Sequence, residues 1–578
     1  MGEYYVDWNR GSDSNSGASA SFPWKSLSKI KALSAGALPA GSVIHLADDS
    51  IWDIQETLSA NNYLFLTNLV NGAAGNPITI TGYGNYGSKP HVKYTMVPQS
   101  GWWAWDAVVG AWYLELAATI WARGGIGVII GGVYAASCWY DSQLGPASAI
   151  NSVVGTNGVT ADTLRWIAPT GGYRLYVAGA GIDAGTDPTT AYGYGNVIIY
   201  PAAVFHGWNS FANTEIDGLE FTGGGVYLTY GAGTLNLPGF HIKNCKSSGI
   251  GALIYTVANN PNPDSLIEIN IHDNDISNVT RTCINMDGVG TGESYNNRFS
   301  YGNLCQSTGG FYHMQLSRST GGYAPYRVRD NYAEYAVNGV GERGFDGCCY
   351  YADAGDDGTE FLRNVAAHSY KGFQLNSGNA SLLASNIAYD CCKFGTFTDA
   401  EAVNNSNYVL VNNLWVSSLT PNDYAHGDDE SPTSVFGAWC NTGGSIAGAK
   451  FQNNMLVVRG SGWENSTAFT LYQPGLWSGS GVSGMQVDTN AVIGGQISRL
   501  ISATGVYADK TGIYPGTVQA GGAGVSYRDS LPAGLASVEC LNKGTDTGIV
   551  GMVDYLGNSF QARPSIGAFE PVSLARCI

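Results

Sequence analysis

Ile271-His272-Asp273-Asn274, Ser294-Tyr295-Asn296-Asn297, Arg327-Val328-Arg329-Asp330-Asn331 and Phe361-Leu362-Arg363-Asn364 repeat one short pattern. Strand-forming residues are followed by a polar residue and then asparagine. The pattern also occurs at His241-Ile242-Lys243-Asn244, Ala384-Ser385-Asn386, Leu410-Val411-Asn412-Asn413 and Phe451-Gln452-Asn453-Asn454. A looser copy, Val487-Asp488-Thr489-Asn490, ends the series. The spacing varies, from Asn364 to Asn386 at its shortest to Asn413 to Asn454 at its longest. A repeat of this kind reads as a solenoid whose insertions all fall at one turn. Three short strands per repeat, with asparagine tolerating a left-handed bend between two of them, make it a parallel β-helix coil. The asparagine amides would then stack one strand spacing apart, about 4.8 Å, and hydrogen-bond along the axis. Asn244, Asn274, Asn331 and Asn364 are therefore expected in one line.

The composition agrees. At 578 residues the chain is too long for one compact core, whereas a solenoid grows without that limit. Its 79 glycines and only 13% charged residues fit many tight turns and an uncharged, aromatic surface. A net charge of −17 argues against nucleic acid or an anionic membrane surface as partner. Gly124 to Tyr140 is uncharged but too short and glycine-rich to cross a membrane. The start, Met1-Gly2-Glu3-Tyr4, has no apolar core of a signal peptide. Cysteine occurs 11 times, with adjacent pairs at Cys348-Cys349 and Cys391-Cys392. Reduced cysteines packed as small hydrophobes are expected rather than a disulfide framework.

Four regions follow. Residues 1–91 form an N-terminal cap and the first coils. Trp24, Leu27, Ile30 and Leu33, behind Pro23, predict a short amphipathic helix that plugs the open end. Residues 92–215 interrupt the repeat with many tryptophans and strand-like runs such as Arg174-Leu175-Tyr176-Val177, and read as an inserted β-rich module. Residues 216–490 are the solenoid body, and 491–578 an end cap where the repeat fades.

Tyr4 to Leu33 resembles the opening of the right-handed parallel β-helix proteins related to pectate lyases. Gly75-Asn76-Pro77-Ile78-Thr79-Ile80-Thr81-Gly82-Tyr83 is similar to their early-coil motif. Asp554-Tyr555-Leu556-Gly557 with Ser565-Ile566-Gly567-Ala568-Phe569-Glu570 resembles their closing strand. The resemblance implies an all-β, right-handed solenoid acting on polysaccharide, with the substrate on the outer face of the strand that opens each coil. Phage tailspike depolymerases share this coil, which implies a homotrimer on a virion tail; a secreted bacterial protein is the alternative.

On those strands, alternation turns Ile284, Met286, Met314, Leu316, Phe373 and Leu375 inward. It turns Asn285, Asp287, His313, Gln315, Tyr351, Asp353, Gln374 and Asn376 outward, with Trp439 and Asn441 on a later coil. Sugar hydroxyls want such polar partners and ring faces want aromatics. Asp287 and Asp353 should lie two coils apart, about 9 to 10 Å. That is close to the carboxyl separation of inverting glycosidases. His313 between them would tune them or bind substrate. Glu293 and Arg318, on the loops leaving these strands, add polar groups, and Glu342, Asp346 and Asp357 are further candidate acids. The run from Asp353 to Glu360 has a second reading as a Ca²⁺ site, without EF-hand spacing; no other cofactor is expected.

Endo-glycosidic hydrolysis of a bacterial surface glycan is thus the leading expectation. A polysaccharide lyase would instead use Arg281, Arg318 and Arg343 with His313 and Tyr351 to stabilise an enolate-like intermediate. A glycan-binding adhesin would use the same face without chemistry.

Overall fold

The computed structural model describes residues 2–33, 38–55, 64–65, 71–85, 87–107, 111–116, 127–131, 133–134, 136–138, 163–167, 173–177, 184–200, 203–258, 264–280, 282–302, 310–317, 323–336, 348–353, 356–376, 381–399, 404–419, 434–440, 445–447, 449–458, 467–470, 482–483, 486–488, 491–493, 498–501 and 514–516. Among these, three long sheets account for most strands, and every neighbouring pair within them is parallel. Sheet 1 runs from Glu3–Val6 to Gln486–Asp488, sheet 2 from Ile51–Gln55 to Tyr514–Gly516, and sheet 3 from Leu64–Phe65 to Ser498–Ile501. The chain visits them in turn, as in Leu266–His272, Asp275–Ser277 and Ile284–Val289, then starts the next coil. This is a parallel β-helix.

The corner between sheets 1 and 2 holds the coils in phase. Asn274 Nδ2 donates to Asn297 Oδ1 at 2.8 Å, Asn297 to Asn331 at 2.9 Å and Asn331 to Asn364 at 3.0 Å. The ladder continues from Asn364 to Asn386, Asn413 and Asn454. Each Oδ1 also accepts a backbone N–H of the preceding coil, as Asn364 Oδ1 does from Asn331. The second amide hydrogen goes to a carbonyl, Ser294 in the case of Asn331. Every polar atom of these buried amides is satisfied.

The expected line is corrected at its first member. Asn244 donates to Asp217 on the exposed side, and Cys245 occupies the ladder position, its N–H donating to Asn274 Oδ1. The left-handed bend also falls one residue earlier than expected, on Asp273, Asn296, Asp330, Arg363, Ser385, Asn412 and Asn453. The ladder asparagine follows it in ordinary extended backbone.

Inside, each residue type packs on its like one coil away. Tyr312, Tyr350, Phe373 and Phe394 stack from sheet 3 at 4.9 to 5.2 Å between centroids. Small residues on sheet 2 (Ala333, Ala366 and Ala388) make room for them. A Cβ on Gly372 would come within 3.0 Å of the Phe394 carbonyl and 3.3 Å of Ala366 and Ala388, a tight fit in which the neighbours would have to shift. Cys245, Cys283, Cys348, Cys349, Cys391 and Cys392 are buried and free, and burial pushes the Cys245 thiol up to about 12.

At the N-terminus the helix is shorter than the apolar spacing suggests, Ser28–Lys31 only. Trp24 leaves the helical pattern because its backbone pairs with Tyr5 and Asp7. Trp24, Leu27 and Ile30 still join the solenoid core beside Val6 and Ile44. Between the coils lies a second core of Met96, Trp103, Leu114, Val128, Ile130, Val177, Val197 and Ile199. It is built on largely antiparallel strands such as Ala111–Leu116 and Tyr173–Val177. The flanks of the 92–215 stretch are coil strands: His91–Thr95 in sheet 2, Ala203–Trp208 in sheet 3 and Thr214–Asp217 in sheet 1. Coil pairing also continues past residue 490, through Ala491–Ile493 and Ser498–Ile501.

Asn331→Ala removes an amide that serves two coils and leaves buried partners unsatisfied, so it should destabilise by roughly 2–4 kcal/mol. Asn244→Ala, outside the ladder, should cost about 1 kcal/mol or less. Urea midpoints of the two variants measure the contrast, and equal shifts would sink the ladder's structural role.

Candidate active site

Sheet 3 turns its inner residues as alternation requires: Ile284, Met286, Met314, Leu316, Phe373 and Leu375 are all buried in the core. The intervening residues face outward in two rows set by strand register. Asn285 pairs with His313, His313 with Tyr351, and Tyr351 with Gln374. Two residues on, Asp287 pairs with Gln315, and Asp353 and Asn376 follow just after Ala352 and Leu375.

Asp353 is the hub. Its Oδ2 contacts His313 Nε2 at 2.9 Å and accepts from Gln315 Nε2 at 3.2 Å. Its Oδ1 accepts from Tyr351 Oη at 2.8 Å and Asn376 Nδ2 at 2.9 Å. Among the described residues, four side chains surround this one carboxyl. On its other side, His313 Nδ1 lies 2.6 Å from Asn285 Oδ1. Asn285 is oriented by its Nδ2, which donates to the Thr256 carbonyl at 3.4 Å. The imidazole therefore faces an acceptor at each nitrogen. With Nδ1–H given to Asn285 Oδ1, Nε2 is left facing the Asp353 carboxyl.

Asp287 lies one coil before Gln315 and two before Asp353, about 9.6 Å along the axis at one strand spacing per coil. Its backbone N–H donates to Thr256 Oγ1 at 2.7 Å. Gln315, rather than His313, stands directly between the two carboxylates, because His313 belongs to the neighbouring row and reaches Asp353 diagonally.

Burial separates these groups. His313, Gln315, Asp353, Asn376 and Asp287 are partly exposed, whereas Asn285, Tyr351 and Gln374 are nearly covered. The covered three act as supports: Asn285 for His313, Tyr351 for Asp353, and Gln374 as acceptor of Lys371 Nζ at 3.2 Å. Trp439 continues the second row, its backbone paired with Thr398. Its side chain lies outside the described residues, as do Arg281, Arg318, Glu342, Arg343, Asp346 and Asn441.

Glu293 is corrected. It opens the strand Glu293–Tyr295 of sheet 1, away from this face, and Arg329 holds it at 2.6 Å. The acidic run is also divided. Asp357 donates its N–H to the Leu316 carbonyl, and Glu360 pairs with Arg327 on sheet 1. Asp356 is fully buried and accepts from Thr359 Oγ1 at 2.6 Å, Ser381 Oγ at 3.2 Å and Leu316 N at 3.3 Å. Together these bonds clip the turn after Asp353 onto the end of the Gly310–Ser317 strand. No group of three His, Cys, Asp or Glu among the described residues is arranged to hold a metal ion.

Thr256 and Lys371 were not expected at this site. Thr256 sits in Ile254-Tyr255-Thr256-Val257 at an inward position in line with Leu228, so alternation gave no signal for it. Lys371, at a strand start and only 3% exposed, carried none.

No family model matches the chain, and no curated protein matches it. Among solved structures, it is similar to XylC in complex with xylose at 11% identity and a TM-score of 0.45, over 86% of this chain and 84% of that one. It is similar to the GH136 lacto-N-biosidase from Eubacterium ramulus at 14% identity and 0.41, over 86% and 68%. It is similar to the tailspike gp61 of Pseudomonas phage phi297 at 10% identity and 0.18, over 82% and 74%. These likenesses are distant, and the fold stands on the strand register above.

Burial raises the Asp356 carboxyl from 3.8 to about 7 against the pull of its hydrogen bonds. As pH rises between those values, the unfolded chain gives up this proton and the folded chain keeps it. The folded state therefore loses relative stability across that window. Asn in place of Asp356 keeps the acceptor and cannot ionise, so Asp356→Asn should flatten the fall in melting temperature between about pH 4 and about pH 7. Scanning fluorimetry across that range checks it; parallel wild-type and variant curves would reject the assignment.

Proposed function

We propose that this protein is a polysaccharide depolymerase that cleaves glycosidic bonds within the chain by hydrolysis in the sheet 3 groove. The observation that carries this reading is the Asp353 carboxyl held 2.9 Å from His313 Nε2, two coils from a second, partly exposed carboxylate. The reading supplies the two functions that inversion at an anomeric carbon needs. The His313–Asp353 pair delivers a proton to the leaving-group oxygen. Asp287 accepts a proton from the water that attacks the opposite face of the sugar. A separation of about 9.6 Å leaves room for that water and lies at the upper edge of the inverting range. Gln315, between the two, is placed to hydrogen-bond a sugar hydroxyl as charge develops.

After turnover the Asp287 proton returns to solvent and the pair is reprotonated. Gln315 and Asn376 hold Asp353 in one orientation throughout, so reorganisation during the step is small. A bacterial capsule or O-antigen is the substrate class this reading favours. A homotrimeric, tailspike-like assembly extends it.

Lyase chemistry would need cations at the groove. The described arginines Arg327, Arg329 and Arg363 are engaged instead with Glu360, Glu293 and Asp330 on sheet 1. Hydrolysis is favoured here by the two groove carboxyls, Asp287 and Asp353.

Asp353→Asn and Asp287→Asn should each lower turnover by roughly 10²-fold or more, while an exposed sheet 2 control, Asp275→Asn, stays near wild type. Reducing-end release from purified capsular and O-antigen polysaccharides gives the rate, and product size shows whether cleavage is internal. Products with the ultraviolet absorbance of an unsaturated sugar end would replace hydrolysis by elimination. Binding without any shortening of the polymer would leave an adhesin.

A further inference from the structure

The outward row that carries His313 does not begin at Asn285. Strand register continues it backwards through Tyr255, Tyr227 and His206 on three earlier coils. Here the hydrogen-bonding groups of the acid cluster give way to rings. His206 and Tyr227 lie 5.0 Å apart, and Tyr227 and Tyr255 stack at 5.7 Å with their planes 15° apart. His206 Nε2 is 3.2 Å from Thr229 Oγ1, which fixes the first ring. Trp208 stands two residues on from His206, in register with Thr229 and at the start of the row that leads to Asp287. It is 42% exposed, although a large indole in a solenoid strand gains most from burial.

We propose that Trp208 and Tyr255 form a sugar-stacking track on the N-terminal side of the acid cluster, occupied by the same polysaccharide chain that is cleaved at Asp353. The inference rests on the hydrolase reading for the identity of its ligand, and on continuity of register for its place. Tyr255 is three strand steps from Asp353, about 14 Å, and Trp208 five, about 24 Å. A polymer lying along the axis would therefore meet both rings while a bond several sugars away is at the carboxylates. The exposed indole of Trp208 and the partly exposed ring of Tyr255 suit the apolar faces of pyranoses. Tyr227, only 6% exposed, is a positioning residue: its ring backs Tyr255 and holds it in place. The track makes the enzyme's preference one for long chains. Remote binding energy is spent on orienting the bond to be cut, so short fragments lose that contribution.

The experiment uses the capsular or O-antigen polysaccharide that wild type cleaves or binds, together with short oligosaccharides from its own limit digest. Trp208→Ala and Tyr255→Ala should each raise KM for the polymer about ten-fold, as loss of one stacked ring predicts. Both should cut the short oligosaccharides at the wild-type rate, which also reports that the variants are folded. Tyr301→Ala removes an exposed tyrosine at another corner and should change neither. Affinity electrophoresis in the Asp353→Asn background reads polymer binding apart from cleavage. If Asp353→Asn abolishes cleavage while the ring variants bind and cleave polymer as wild type does, the track falls and the acid–base assignment stands. If Asp353→Asn digests normally while both ring variants lose binding, the track stands and that assignment falls. Equal loss on polymer and short fragments would overturn the track, since it would mark general damage to the site.

Discussion

The asparagine amide at the corner between sheets 1 and 2 is the constraint on which the other positions depend. An amide has two donors and an acceptor with two lone pairs, and from Asn297 to Asn413 each ladder residue uses them on both neighbouring coils. Its geometry admits only one spacing, that of hydrogen-bonded strands, and only one phase. An offset of one residue would put a buried amide against a side chain that cannot answer it, and would turn each strand's core residues to solvent. The aromatic stack inside and the rows outside are both consequences. Tyr350 can lie on Phe373, and His313 reach Asp353, because the corner has already fixed the height and rotation of each coil.

Register also explains how a site can be assembled from residues far apart in sequence without a loop to gather them. Thr256, Asn285, His313 and Asp353 come from four consecutive coils. The connections between them absorb insertions without altering the outward row. Rigid strands hold such groups closer to a fixed geometry than loops do. The Asp356 clip adds to this: a buried carboxyl with three donors ties the turn following Asp353 to the strand that carries His313.

The phase of the repeat was legible because asparagine is costly to bury and recurs only where its amide is used. Its exact corner position was not, because the left-handed residue and the ladder residue are adjacent and both accept asparagine. At Asn296-Asn297, Asn412-Asn413 and Asn453-Asn454 both are asparagine. At Asn244-Cys245 only the bend is, and the pattern slips by one. The outward groups of the site followed from period-two alternation alone. Their pairing did not, since the bond from His313 to Asp353 runs diagonally between rows. Glu293 was misplaced for a related reason: short strands separated by glycine turns look like loops, and only register shows that Glu293 pairs with Arg327 in sheet 1.

Two faces of the same coil thus carry charge in opposite ways. On sheet 1, Arg329 bridges Glu293 and Asp330, Arg363 holds Asp330 from the next coil, and Arg327 reaches Glu360. Each charge is answered by its neighbour, and such partly exposed pairs contribute little stability. On sheet 3, among the described residues, the carboxyl of Asp353 accepts from the neutral donors Gln315, Tyr351 and Asn376 and contacts the His313 imidazole. Neutral donors orient a carboxyl without the strong preference for its ionised form that a guanidinium would impose. The difference between the two faces lies in which partners the shared register brings beside each carboxylate.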